Sequence, residues 1–173
     1  MVTNTITVNR VWPDAGVAKL TQTSLDLETE MFKRAMSRCS NVAEPIDLLM
    51  AIAFQGHGAG GAILKNLIRE INDPLAKTSP FDYLKRKIQP ASNGRSLTGD
   101  EISVSARVRG IFELAESISA GRKHEKIESI DFLIALFELA DDHPTIQPLG
   151  ISRKTVDEAV LKYLTEREKN KLL

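Results

Sequence analysis

The chain has 173 residues, a length that suits one domain or two half-domains sharing a core. Its 42% hydrophobic and 27% charged residues are ordinary for a globular protein. Lysine plus arginine, 23, equals aspartate plus glutamate, 23, which argues against a protein that holds nucleic acid by neutralising phosphates.

A single cysteine, Cys39, excludes an intramolecular disulfide, and its place on an apolar helical stripe reads as a small buried hydrophobe. No charged leader with an apolar core opens the chain, and no apolar run approaches the ~20 residues of a membrane span. The expectation is a cytoplasmic protein with no membrane partner.

From the start, Thr3 to Trp12 ("TNTITVNRVW") alternates polar and apolar residues with β-branched side chains, a signal for a strand or extended arm over residues 1–22. A first helix follows Thr23 or Ser24 as its cap, with Leu27, Met31, Phe32, Ala35, Met36 and Cys39 on one buried stripe. "AEPID" opens a second: Pro45 suits the first turn, and Asp47 lies where a carboxylate favours the helix dipole. "QGHGAGG" (Gln55 to Gly61) ends it, and "AILKNLIREI" continues as a third. Ser79, Pro80 and Asp82 announce a fourth.

"QPASNGRSLTG" (Gln89 to Gly99) is rich in turn formers and marks a linker over residues 90–101. The helical pattern restarts with Ser105 as cap and Val108, Ile111, Phe112, Ala115 and Ile118 on one face. "SIDFLIALFELA" is apolar nearly all round, as a central buried helix should be. A last helix follows Ser152, with Val156, Ala159, Val160, Tyr163 and Leu164 inward, and residues 166–173 form a charged, fraying tail. No substantial sheet is implied, and the fold class is all-α.

The chain writes one phrase twice. Ile46, Asp47, Leu49 and Ala51 recur as Ile130, Asp131, Leu133 and Ala135, 84 positions on, and Glu44 recurs as Glu128. The preceding helices match at a different spacing, 80, through Phe32 and Phe112, so a loop one helical turn longer is expected before Glu128. Each copy is a helix, a buried helix, a short helix and a closing helix. Neither covers its apolar face alone, so the halves should pack about a pseudo-twofold axis. Leu49 and Leu133 are central core positions.

These words resemble the amino-terminal domain of the Clp ATPases, which is built from two Clp repeats. "VAEPIDLLMAI" and "KIESIDFLIAL" look like the family's "F-I-E-P-L-H-L-L-x-A-L". "FQGHGAGGAILKNL" resembles its Gly-rich loop, and "ISVSARVRGIFELA" its entry into the second repeat. The resemblance covers about residues 24 to 164, with repeat 1 at 23–89 and repeat 2 at 102–165. It implies an all-α, pseudo-twofold pair of four-helix repeats, packed as one domain that binds protein clients or adaptors for a Clp-type chaperone or protease. It also implies an apolar groove near the start of the second repeat, at Phe112, Leu114 and Asp131. Leu114, lying off the buried stripe, is the sharpest of the three. Two positions depart from the family. Asp47 and Asp131 stand where it often holds His, and Ile46 and Ile130 replace the Glu of the branch that reads phosphorylated arginine, so that role is not carried over. Pro148 should reduce the third element of repeat 2 to a turn.

Gly56 to Gly61 do not form a phosphate loop, because a helix precedes them and no Lys-Ser/Thr follows. His57, His124 and His143 show no metal-ligand spacing, and Asp141-Asp142-His143 before Pro144 reads as a helix exit rather than a metal site. No nucleophile motif is present, so neither an enzyme nor a cofactor is expected. A stand-alone subunit docking on a Clp ATPase or peptidase is the alternative to a recognition module.

Overall fold

The computed structural model describes residues 7–9, 11, 21–56, 58–71, 73–77, 79–87 and 101–171. Trp12, His57 and all of the expected 90–101 linker except Glu101 lie outside them. In chain order come β1 (Thr7–Val8), α1 (Gln22–Ser37), β2 (Val42–Ala43), α2 (Pro45–Gln55), α3 (Ala59–Glu70), a 3₁₀ turn (Pro74–Lys77) and α4 (Pro80–Lys87). The second half follows with β3 (Glu101–Val104), α5 (Ala106–Gly121), α6 (Ser129–Ala140), a 3₁₀ turn (Gln147–Leu149) and α7 (Arg153–Lys171). The fold is all-α. Its strands are too short to form a layer, but they do make a small sheet of order β1-β3-β2, all parallel, that the sequence reading lacked.

Local chemistry sets the helix starts. Thr21, not Thr23 or Ser24, caps α1: its hydroxyl accepts the Ser24 N–H, while the Ser24 hydroxyl turns away to donate to Ile127 O at 2.7 Å. Ser105 caps α5 in the same way through the Val108 N–H. Both central helices carry a capping box, Glu44 with Asp47 and Glu128 with Asp131. Ser79 accepts the Asp82 N–H at the start of α4, as expected. Pro148 sits in a three-residue 3₁₀ turn where repeat 1 has α3, again as expected.

One spacing of 84 relates the two halves from their first caps through their central helices. The cap Thr21 answers to Ser105, α1 to α5 (16 residues each), the C-cap Arg38 to Arg122, the left-handed Cys39 (φ 55°) to Lys123 (φ 58°), and Glu44 to Glu128. The expected offset of 80 for the first helices, and with it the longer loop before Glu128, is therefore corrected. An apolar stripe slid by one turn looks the same to a pattern reading, and Phe112 answers to Glu28 rather than Phe32. The contacts between halves are reciprocal: the Ser105 N–H donates to Ala43 O at 3.0 Å, and Thr21 and Ser24 donate to Ile127 O. Such i-to-j and j-to-i pairing is what a twofold produces.

A single core runs through both halves. Leu27, Met31, Phe32 and Ala35 of α1, Leu49 and Ile52 of α2, Leu64 and Leu67 of α3, Ile111 and Phe112 of α5, and Leu133 and Leu136 of α6 all belong to it. Within it α1 packs on α2, α5 on α6, and α2 and α3 both against α6. The glycine run lets α3 approach α6. A Cβ on Gly60 would lie 2.5 Å from the Ser129 carbonyl oxygen, and the Gly60 N–H donates to Ser129 Oγ at 3.1 Å. Cys39, expected to be buried, is exposed, because α1 ends at Ser37 and the left-handed backbone after it turns the side chain off the stripe. The segment expected as a fraying tail continues α7 helically through Lys171.

Candidate functional site

The positions that the family resemblance implied lie in different settings. Phe112 is core, packed edge-to-face on Phe132 with ring centroids 4.9 Å apart. Asp131 is fully buried: Oδ2 accepts the Glu128 N–H at 2.9 Å, and Oδ1 accepts from Arg122 Nη1 at 2.7 Å. Burial pushes its carboxyl above the usual carboxylate range. The Glu128 N–H and the Arg122 guanidinium pull it back, and the Glu128 charge adds to the push. Neither side chain has surface to offer a ligand. Leu114 is half-buried against the core. It lies one turn beyond Gly110, where a Cβ would come 3.6 Å from Cδ1 of the exposed Leu139. Leu114 and Leu139 thus mark a small apolar patch on the outer side of α5 and α6.

A second apolar surface, missed in the sequence, is built on repeat 1. The last turn of α1 supplies Arg34 and Arg38, α2 supplies Ile46, Asp47 and Met50, and α4 supplies Phe81 and Lys85. Together they line a groove of about 370 Å³. Phe54, at the end of α2, is 53% exposed and meets Phe81 edge-to-face with centroids 5.4 Å apart. The Arg34 guanidinium lies over both rings, 4.7 Å from one centroid and 4.8 Å from the other. Arg34 is also held by Glu30 one turn back in α1.

Arg38 and Asp47 close the inner end of this groove. Nε donates to Oδ1 at 2.8 Å and Nη2 to Oδ2 at 2.5 Å, while Oδ2 also accepts the Glu44 N–H. The hydrogen bond to Asp47 raises the Arg38 pKa still further, against the lowering effect of burial. Each group is hydrogen-bonded by the other, and together they form a wall rather than a reactive pair. At the mouth, Lys85 is exposed and makes no ion pair among the described residues. Its neighbour Lys87 is engaged by Asp73 at 2.8 Å, which raises the lysine's pKa.

The equivalent place on repeat 2 is lined differently. At the 84-residue spacing, Arg34 becomes Ile118 and Met50 becomes Ile134, both packed against the core. Phe54 becomes Glu138, tied to Arg153 of α7 at 2.5 Å. The capped buried helix and its Arg–Asp wall are common to both repeats; the open aromatic rim belongs to repeat 1 alone. A larger cavity, about 470 Å³, lies between α3 and α7 over Ile63, Leu67 and Tyr163. Its rim mixes Arg69 and Lys162 with Glu70, Glu158 and Glu166.

Among the described residues no group of three or more His, Cys, Asp and Glu side chains is placed to hold a metal ion, and no helix is long and apolar enough to cross a membrane. His143 follows the helix exit after Ala140, its Nδ1 paired with Thr145 Oγ1 at 2.8 Å.

No protein-family model matches the chain, and no curated protein matches it. Solved structures do. The chain is similar to the N-terminal domain of the caseinolytic protease associated chaperone ClpD from Arabidopsis thaliana, with a TM-score of 0.57 and 17% identity over 85% of this chain and 95% of that one. It is also similar to a structure from preliminary investigations of a malarial protein secretion system, with a TM-score of 0.59 and 18% identity over 83% of this chain and 93% of the other. The chain has the fold of a Clp N-terminal domain.

Proposed function

We propose that this double Clp-repeat fold is a non-catalytic protein-binding module that recruits substrates or adaptors for a Clp-type chaperone or protease, working in the cytoplasm. One observation carries the reading: the repeat-1 groove has an apolar floor bordered by an exposed Phe54, where repeat 2 has Glu138 salt-bridged to Arg153. Exposed aromatics beside a preformed apolar cleft are how a surface takes large side chains from an extended segment. The ClpD domain, similar in fold, belongs by its description to a protease-associated chaperone, and that context supports the assignment. The patch at Leu114 and Leu139 is the second place for such a groove.

The test is a pull-down from native lysate with the tagged chain beside Phe54→Ser and Leu114→Asp, bound proteins being identified by mass spectrometry. Many unrelated clients or one adaptor, lost with Phe54→Ser, is the expected result. Loss with Leu114→Asp alone moves the groove to repeat 2. Recovery of a Clp ATPase or peptidase indifferent to both substitutions favours a docking subunit over a recognition module.

A further inference from the structure

We infer that the repeat-1 groove selects an extended polypeptide segment in which a large apolar side chain is followed within a few residues by a carboxylate. The inference rests on the peptide-binding reading above and names what that site accepts. The floor is apolar: Ile46, Met50 and Phe81. The lining holds three cations, Arg34, Arg38 and Lys85, against one carboxylate, Asp47. Asp47 is buried and its oxygens accept from Arg38 and the Glu44 N–H, so it presents almost no surface to an incoming cation.

The cations keep donors in reserve. Arg34 uses Nε and Nη2 on Glu30, and Arg38 uses Nε and Nη2 on Asp47. Nη1 of each arginine makes no hydrogen bond among the described residues, and Lys85 has none either. Across the Phe54 ridge the balance of charge reverses, since Asp26 and Glu30 stand against the single cation Lys33 in the depression on its far side. A segment whose apolar side chain sits against Phe81 and Met50 therefore has its following carboxylate drawn to the Arg38 and Lys85 side and repelled from the other. The net charge of zero removes any general steering of acidic partners, so the preference is local to this groove.

The test uses the full chain and isothermal titration with three unlabelled nonapeptides of Gly/Ser background. One carries Leu-Phe followed by two Asp, one Leu-Phe followed by two Lys, and one the two Asp with Ser in place of Leu-Phe. The acidic Leu-Phe peptide should bind about tenfold more tightly than the basic one, and the Ser peptide not measurably. Lys85→Glu should shrink that preference about fivefold, the size of an exposed charge pair, while Lys65→Glu, the same change on the outer face of α3, leaves it intact. Circular dichroism checks that each variant is folded. Equal affinity for the acidic and basic peptides, abolished in both by Phe54→Ser, overturns the carboxylate preference and keeps the peptide site. Binding indifferent to Phe54→Ser, or no heat from any peptide, overturns both. Heat from the chain alone that depends on its own concentration assigns the groove to a second copy and overturns the inference as well.

Discussion

Arg38 and Arg122 occupy the same place 84 residues apart, each at the end of its helix and each facing a buried aspartate. Removing one partner of such a pair strands the other in a poorly solvated site. Arg122→Ala should therefore cost about 3–5 kcal/mol at neutral pH, read as a lowered midpoint in urea denaturation. Asp131 adds a pH dependence with a definite sign. Burial holds its folded pKa above the unfolded value of about 4, so its contribution is complete below that pH and is lost as pH rises through the folded value. The stability difference between the parent and Asp131→Asn should fall between pH 4 and neutrality. A difference that rises instead would show that Arg122 outweighs desolvation. The residue types at these positions were legible, including the acidic N3 residue of each capping box. Their partners were not, because Arg38 meets Asp47 from another helix and sequence spacing carries no sign of the meeting.

At the scale of elements, the glycines before and within α3 show what a turn-rich string can hide. Gly56 is left-handed at φ 57° and ends α2, as a string of turn formers suggests. Gly60 serves a different end, the close passage of α3 over the backbone of α6. Gly60→Ala should destabilise by about 1–3 kcal/mol, because the obstacle is the Ser129 carbonyl rather than a movable side-chain tip. Gly121→Ala, at the end of α5 with nothing within 4 Å of the new Cβ, should be neutral or stabilising by up to ~1 kcal/mol. Thermal midpoints of the two variants check the pair; a tolerated Gly60→Ala would contradict the packing of α3 on α6. Helix starts at Ser79 and Ser105 were readable from one cap and its neighbours. The start of α1 was not, because hydroxyls at Thr21, Thr23 and Ser24 compete and only the contact with distant Ile127 sorts them.

For the whole molecule, the shared core makes the halves interdependent. Leu49→Ala and Leu133→Ala, one in each central helix and both fully buried, should each cost about 2–5 kcal/mol and displace one common unfolding transition. Two separate transitions in calorimetry would mean that the repeats fold independently. What the sequence by itself determined were the features written among near neighbours: the all-α fold class, the capped start at Ser79, most of the buried stripes, the duplication of the central helix and the turn at Pro148. The tertiary structure decided the rest. It set the first helices at the same 84-residue spacing as the others, since a 3.6-residue period looks alike when slid by a turn. It turned Cys39 out to solvent and drew Asp131 inside. It left the groove on repeat 1 bordered by an exposed Phe54, because that exposure depends on how α4 lies across α2, and no local pattern carries that information.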